Sequence, residues 1–311
     1  MTMGPVFIIA PHRSGTTILY SLLAASGCFN VVTAFHVLNR HRLLDLHQRG
    51  ELEEARRTLQ RQLASGGVTD EYGEPVMADH PEEYSYALAR QGRRPTLDQG
   101  NLASFREFCR AAQAVQDPAR SLLLKNPFDT RNFLFIRDAV PDARFVLLHR
   151  HPAEVIDSQL RLIRWMLHTR SSYDALIVER YRRLYDRRVR LAAARAVCSP
   201  RLPLLFELVF RNIVAGCDYA VEHADALGGR ALSITYPDLC RDPAAVVKRV
   251  LAFTGVEPNG HTATAPMVGR RTGALTPEVE RRLPRIERRT DAYRRQFGVS
   301  GVSAPQAFCE S

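Results

Sequence analysis

This sequence has no closely spaced cysteine pair and no long apolar run, and it contains only two lysines. Its six cysteines are scattered, and because no two form a Cys-x-x-Cys pair, the pattern argues against a zinc site or a disulfide framework. No segment approaches the roughly 18–20 uninterrupted apolar residues that a membrane span requires. The apolar run at residues 6–10 is far too short for a signal peptide. These absences predict free thiols and a cytoplasmic protein with no membrane span.

The scarcity of lysine shapes the charge of the chain. Of its 43 lysines and arginines only Lys125 and Lys248 are lysines, and the formal net charge is +10. The arginine bias is as typical of codon composition as of selection for a partner. The basic residues are also spread over predicted helices, as at Arg281 and Arg282, instead of forming one tail. We therefore expect no nucleic-acid partner, because a basic surface that attracts a small polyanionic cofactor fits this charge better.

Short apolar segments alternate with helical patterns along the 311 residues, a length sufficient for one large α/β domain. Apolar segments of this kind predict strands that are buried on both faces. The predicted strands are residues 6–10, 29–35, 121–125, 144–149 and 231–235. Strands separated by helices indicate a parallel sheet flanked by helices on both faces. The expected fold class is therefore α/β, in a single domain over residues 1–311.

The helical patterns lie between these strands. A first helix is predicted at residues 16–25, directly after a glycine turn, and a long polar helix at residues 41–63 precedes a long loop at residues 64–81. Further helices are expected at residues 82–90, 102–115, 131–139 and 244–254, with others beginning at Pro152 and near Pro277. Loops as long as 64–81 are usually functional or mobile in compact domains.

The segment from Pro11 to Thr17 reads Pro-His-Arg-Ser-Gly-Thr-Thr and links the first predicted strand to the first predicted helix. A glycine turn at this place exposes backbone N–H groups and the positive end of the helix dipole. Two threonine hydroxyls and the guanidinium of Arg13 complete a cradle for an anion. Ordinary helix capping needs only Ser14 or Thr16. The whole cluster, with Gly15 at its turn, therefore favours phosphate or sulfate binding.

The spacing within this segment distinguishes between anionic ligands. An NTP-binding loop would have a lysine directly after the glycine, whereas Thr16 occupies that position and Arg13 lies two positions before Gly15. The segment resembles the 5′-phosphosulfate loop of sulfotransferases, in which Lys or Arg precedes Ser-Gly-Thr-Thr. The resemblance implies a P-loop-like nucleotide-binding core. It also implies PAPS (3′-phosphoadenosine 5′-phosphosulfate) as the cofactor, which is released as PAP.

A second segment strengthens the resemblance. Arg150 ends a predicted strand, Pro152 begins the next helix, and Ser158 lies two turns into that helix. An arginine and a helical serine in these positions can hold one phosphate between them. The arrangement is similar to the 3′-phosphate segment of the same family.

Two later segments complete the resemblance, in family order. Tyr236 begins Tyr-Pro-Asp-Leu, which looks like the Tyr-Glu-Asp-Leu segment whose tyrosine packs near the adenine. A core tyrosine beside a strand end is an equal alternative, and a proline replaces the usual acidic residue. Arg270, Arg271 and Gly273 are similar to the late Arg-Lys-Gly loop that closes on the 3′-phosphate.

The resemblance also implies catalytic residues. Arg13 is placed to neutralise the leaving phosphate, and Lys125 resembles the lysine of a Lys-Asp-Pro segment in protein-tyrosine sulfotransferases. His36 lies close to the place where those enzymes carry their general base, and a histidine is suited to accept a proton near neutral pH. Other candidates for the base lie at the end of the long loop: Asp79, His80, Glu82 and Glu83. No metal is implied, because side chains and the helix terminus supply the positive charge.

Three other functions are compatible with the sequence. A P-loop kinase for a small molecule is disfavoured by the missing lysine after Gly15, and the others are a non-catalytic nucleotide-binding protein and a nucleic-acid binder. In the sulfotransferase interpretation, an insertion at residues 37–118 binds the acceptor. The acceptor is a small molecule, a sugar or a peptide. Neither its identity nor the oligomeric state follows from the sequence.

Overall fold

The computed structural model describes residues 4–70, 73–89, 95–170, 172–257 and 274–302. Five parallel strands form one sheet in the order β2-β3-β1-β4-β5. The strands are β1 (Val6–Ile9), β2 (Asn30–Val31), β3 (Leu122–Lys125), β4 (Arg144–His149) and β5 (Ala231–Thr235). Because the first strand lies in the middle, the turn that follows it opens at the centre of the sheet's carboxyl edge, where ligands of open α/β sheets bind.

Helices connect the strands and extend the chain beyond them. The helices before β4 are α1 (Thr16–Ala25), α2 (Ala34–Leu38), α3 (Leu43–Gln48), α4 (Leu52–Ser65), α5 (Tyr84–Ala89), α6 (Leu102–Ala114) and α7 (Phe133–Ala139). Those between β4 and β5 are α8 (Pro152–Thr169), α9 (Ser172–Ile177), α10 (Glu179–Tyr185), α11 (Arg188–Val197) and α12 (Leu204–Glu222). The last are α13 (Tyr236–Arg241), α14 (Pro243–Thr254), α15 (Pro277–Glu280), α16 (Leu283–Arg289) and α17 (Asp291–Gln296). Two 3-10 helices lie at Pro127–Arg131 and Gly228–Arg230.

Both faces of the sheet are covered by helices. On one face the ring of Phe7 in β1 stacks on Phe145 in β4, with ring centres 5.8 Å apart, and meets the edge of Tyr84 in α5 at 6.1 Å. On the other face Ile8 packs in a cluster with Leu19 of α1 and residues of α14. A strand buried on both sides needs the continuous apolar sequence that β1 has. The predicted α/β class is confirmed.

Several element boundaries agree with the sequence patterns. The bounds of α1, β4 and β5 are those predicted, and Pro152 is the first residue of α8. The predicted polar helix at residues 41–63 is wrong as a single helix. It is divided into α3 and α4 at Gly50, whose φ of 71° is left-handed and ends regular helix geometry.

The predicted strand at residues 29–35 is also wrong beyond Val31. The chain turns away from β3 and pairs in antiparallel fashion with the end of the long loop, where Glu82 N–H donates to Val32 O at 2.8 Å. Thr33 then begins α2 through a capping box with His36. This pairing brings Glu82 and its neighbour Glu83 to the carboxyl edge of the sheet.

Candidate active site

The turn between β1 and α1 contains two residues in the left-handed region. Arg13 has a φ of 71° and Gly15 a φ of 96°. A Cβ on Gly15 would lie 2.6 Å from the ring of Tyr236, so this position requires glycine for its conformation and for its space. A non-glycine residue in the left-handed region, such as Arg13, is strained and is found preferentially at functional sites.

Carbonyl groups of the turn accept hydrogen bonds from α8 and from the residue that follows β4. Gln159 donates to His12 O at 2.8 Å, and Arg150 donates to Arg13 O at 2.8 Å. Within the described residues no side chain caps the start of α1, whose first-turn N–H groups carry the positive end of the helix dipole. The hydroxyl of Ser14 is buried and has no hydrogen-bond partner among those residues. A bound anion would satisfy both the amides and this hydroxyl, so the turn fits a phosphate or sulfate group.

The predicted second anion site adjoins the first. The Nε of Arg13 donates to the Oγ of Ser158 at 3.1 Å, so the β1–α1 turn and α8 are in direct contact. Arg150 pairs with Glu154 at 2.8 Å and lies over the ring of Tyr236, 4.1 Å from its centre. Nε and Nη1 of Arg150 make hydrogen bonds to Glu154 and to Arg13 O, and its Nη2 makes none within the described part of the chain. These contacts bring Arg13, Arg150 and Ser158 into one basic corner.

Lys125 lies at the end of β3, in register with Ile8 of β1, and is 4% exposed. Its Nζ donates to Thr17 Oγ1 at 3.2 Å and lies 3.5 Å from Glu83 Oε1. Lys125 therefore connects the anion-binding turn to a carboxylate. The sequence predicted Lys125 beside the turn, and the structure confirms that position.

The two glutamates beside Lys125 have different surroundings. Glu82 accepts a hydrogen bond from the Tyr173 hydroxyl at 2.6 Å and another from the backbone of Glu83 at 3.1 Å. Burial raises the pKa of Glu82 to about 8, although Lys125 acts in the opposite direction. Glu83 accepts from Ser85 at 3.2 Å and makes the ion pair with Lys125. The adjacent glutamates after Pro81 are the sequence signal for this part of the site.

His36 caps the helix in which it lies, α2. Its Nδ1 accepts from Thr33 N–H at 3.1 Å, which caps α2, and the ring is 2% exposed. Burial lowers the pKa of His36 to about 4, and the arginine at position 56 acts in the same direction. Its Nε2 is buried, and no described residue is a hydrogen-bond partner for it. Its function as a general base stays a prediction.

The remaining predicted residues lie at the border of the site or beyond the described ranges. Tyr236 is buried and packs between Gly15 of the turn and Arg150. Its contact with an adenine stays a prediction. Arg270, Arg271 and Gly273 lie outside the described residues.

Two structural features are absent from the described part of the chain, one related to metal ions and one to membranes. No cluster of three or more histidine, cysteine or acidic side chains within it could hold a metal ion. None of its helices has the length and apolar character needed to cross a bilayer.

Comparisons with known proteins agree with this geometry. The sequence model described as "Sulfotransferase family" matches residues 5–216, which include the β1–α1 turn, Lys125 and the Arg150–Ser158 segment. No curated protein sequence matches the chain.

Two solved structures have a similar fold. Sulfotransferase STF9 from Mycobacterium avium is 16% identical, with a TM-score of 0.56 over 91% of this chain and 67% of that one. Sulfotransferase STF1 from Mycobacterium tuberculosis H37Rv is 14% identical, with a TM-score of 0.56 over 93% of this chain and 77% of that one.

Proposed function

Because the chain belongs to the sulfotransferase family, we propose that it transfers the sulfuryl group of PAPS to a hydroxyl or amine of a small-molecule, sugar or peptide acceptor. The observation that carries the proposal is the contact of Arg13 with Ser158, next to an uncapped helix terminus and Lys125. Two anion-binding groups on one edge of the sheet suit a nucleotide with phosphates at both ends. A cytoplasmic location fits this cofactor and stays a prediction.

The basic corner supplies ligands for both phosphates. The backbone N–H groups from Ser14 to Thr17, with their hydroxyls, would hold the 5′-phosphate. Arg150 and Ser158 would hold the 3′-phosphate, with Arg13 between the two groups. We also propose, from the resemblance alone, that Tyr236 packs near the adenine and that Arg270, Arg271 and Gly273 close on the 3′-phosphate.

Charge stabilisation accounts for most of the catalysis that these residues can perform. PAPS supplies an activated sulfuryl group, and its transfer forms a sulfur–oxygen or sulfur–nitrogen bond to the acceptor while the bond to the 5′-phosphate oxygen breaks. Arg13 and the α1 terminus offset the charge that develops on that phosphate. Lys125, already hydrogen-bonded to Thr17, donates to the oxygens of the transferring group. Positioning of this kind, without covalent catalysis, is enough for in-line displacement.

The acceptor proton needs a base close to Lys125. Glu83 lies there, 3.5 Å from Lys125 Nζ, and its carboxylate takes the proton as the acceptor attacks. His36 is the competing candidate, but its Nδ1 already accepts a backbone hydrogen bond. The position of Glu83 beside Lys125 therefore favours Glu83 as the base over His36.

Isothermal titration with PAP and with ATP plus magnesium tests the proposal. We expect PAP to bind tightly without a metal, adenosine 5′-phosphate to bind more weakly because it lacks the 3′-phosphate, and ATP with magnesium to bind poorly. Labelled sulfate should then pass from PAPS to at least one acceptor of a mixed hydroxyl and amine panel. Binding of ATP with magnesium in preference to PAP would support a kinase instead. PAP binding without any sulfate transfer would indicate a non-catalytic nucleotide-binding protein.

A further inference from the structure

A fully buried carboxylate lies behind the site. Asp129, in the 3-10 helix after β3, has no exposed surface. Its Oδ2 accepts hydrogen bonds from the Tyr84 hydroxyl at 2.5 Å and from Asn126 Nδ2 at 2.6 Å. Its Oδ1 accepts from Leu97 N–H at 3.0 Å and from Asn132 Nδ2 at 2.7 Å. Four donors on one carboxylate make a rigid junction between three separate segments of the chain.

Two of these four donors are sequence neighbours of the proposed catalytic groups. Tyr84 directly follows Glu83, and Asn126 directly follows Lys125. Both meet at the same oxygen of Asp129. Asp129 therefore connects Glu83 to Lys125 through two hydrogen bonds and short stretches of backbone.

The Asn126 side of this junction is fixed in one orientation. Its Oδ1 accepts from Phe128 N–H at 3.1 Å, and its Nδ2 also donates to Pro95 O at 2.8 Å. If the amide were flipped, its oxygen would face two acceptors and its nitrogen a donor. The junction thus holds the end of β3 without an alternative arrangement of its hydrogen bonds.

We infer that Asp129 is a positioning residue, which acts through Tyr84 and Asn126 to hold Glu83 and Lys125 3.5 Å apart. The inference rests on the proposed function, in which these two side chains serve sulfuryl transfer. Glu83 lies between the antiparallel pairing of Glu82 with Val32 and the short helix α5, and the hydrogen bond from Tyr84 to Asp129 ties it on the α5 side. Misplacement of a catalytic group by about 1 Å can cost two orders of magnitude in rate.

An amide cannot replace this carboxylate. An asparagine nitrogen at the Oδ2 position would face the Asn126 donor, and at the Oδ1 position it would face two donors. Asp129→Asn therefore breaks the junction. Its effects would combine loss of stability with loss of positioning at the site. Tyr84→Phe is the sharper variant, because it keeps the buried ring and three of the four donors and removes only the tie to the Glu83 segment.

The scarcity of lysine provides a direct probe. Lys125 and Lys248 are the only lysines, so labelling of the lysine ε-carbons with ¹³C gives two signals, and exposed Lys248 is an internal reference. A lysine that is held by Thr17 and Glu83 has two distinct ε-protons, whereas a freely rotating one averages them. Wild type, Tyr84→Phe, Asp129→Asn and Glu83→Gln are compared, with Tyr86→Phe as the matched control on the same helix.

We expect the separation of the Lys125 ε-proton signals to decrease in Tyr84→Phe in the same direction as in Glu83→Gln, and to be unchanged in Tyr86→Phe. Tyr84→Phe should also lower the rate of PAP release from PAPS on the order of tenfold, with PAP affinity within about twofold of wild type because the anion-binding turn is untouched. An unchanged Lys125 signal in a folded Tyr84→Phe protein would overturn the inference. Equal losses of rate in Tyr84→Phe and Tyr86→Phe would overturn it as well.

The spectroscopic and kinetic readouts separate the two proposals. If wild type neither binds PAP nor releases it from PAPS, the proposed function is wrong, and the lysine signal still decides whether Asp129 sets the position of Lys125. If PAP release is normal in wild type and Tyr84→Phe leaves both the rate and the signal unchanged, only the positioning inference fails.

Discussion

The Nε of Arg13 lies 3.1 Å from the Oγ of Ser158, although the two residues are 145 positions apart in the chain. This contact joins the turn after β1 to the helix after β4, which are neighbouring strands of the sheet. In the sequence, each segment alone has an ordinary explanation, as a helix cap or as a surface arginine with a helical serine. In the structure, their contact makes one site with positive charge at its centre.

Arg13→Ala removes the side chain that lies between the two proposed phosphate positions. We expect turnover of PAPS to fall by at least about 10²-fold, as on loss of a charge-stabilising donor in other enzymes, while EDTA leaves wild-type turnover unchanged. The measurement is the steady-state rate of PAP release from PAPS in the presence of the mixed hydroxyl and amine panel, with exposed Arg183→Ala as the control for loss of one positive charge. Turnover that survives Arg13→Ala or is abolished by EDTA would contradict the scheme.

Ser158→Ala removes the hydroxyl that accepts from Arg13 and that would bind the 3′-phosphate. Loss of one hydrogen bond to a charged group should weaken PAP binding by about 1.5–3 kcal/mol, or roughly tenfold to a hundredfold in Kd. Affinity for adenosine 5′-phosphate should change much less. Titration calorimetry with both nucleotides gives the comparison, and Ser65→Ala on exposed α4 is the control. Equal losses for the two nucleotides would remove Ser158 from the 3′-phosphate site.

Glu83→Gln keeps the shape of the side chain and removes its capacity to accept a proton. We expect the rate of transfer to fall by about 10²–10⁴-fold, the usual range for a general base, with PAP affinity retained. His36→Ala should instead destabilise the protein by at least about 1 kcal/mol, through loss of the α2 cap and of a buried ring, with a much smaller effect on rate. The ratio of the two rate losses decides which residue is the base. Urea unfolding of both variants separates loss of activity from loss of stability. A larger rate loss in His36→Ala would restore His36 as the base.

The raised pKa of Glu82 predicts that the stability of the protein depends on pH. Its folded-state pKa is raised from an ordinary value near 4.5 to about 8, in surroundings that include Lys125, Glu83, Tyr173 and His80. A carboxyl with a raised pKa contributes its stability fully below the unfolded value, and that contribution is lost as the pH rises towards the folded value. Between about pH 5 and about pH 8, Glu82→Gln should therefore gain stability relative to wild type.

Urea unfolding at several pH values measures the Glu82 effect. Glu107→Gln, on the exposed face of α6, should show no such trend relative to wild type. If the difference between Glu82→Gln and wild type does not change with pH, Glu82 is ionised throughout this range and its burial does not control its protonation.

The sequence patterns were sufficient for the parts of this site that lie on the regular βα units. Buried strands end at a common edge, so the positions of Arg13, Lys125 and Arg150 could be predicted from the strands that precede them. The helix α1 could also be placed from its glycine turn and its apolar face. In these segments the local pattern and the tertiary structure agree, which makes the prediction reliable.

The position of Glu83 could not be predicted in the same way. It depends on the antiparallel pairing of Thr33 with Pro81, two segments separated by three helices and a long loop, and no local pattern encodes such a pairing. The same pairing explains why His36 caps a helix instead of ending a strand. Hydrogen bonds between distant segments decided both outcomes, as they did for the junction at Asp129.

A crystal structure of the complex with PAP tests the central claim most directly. The account predicts the 5′-phosphate on the backbone N–H groups from Ser14 to Thr17 and the 3′-phosphate on Arg150 and Ser158. It also predicts that Lys125 and Glu83 face the open side of the 5′-phosphate. PAP bound with either phosphate away from these groups, or bound on the opposite edge of the sheet, would contradict the account.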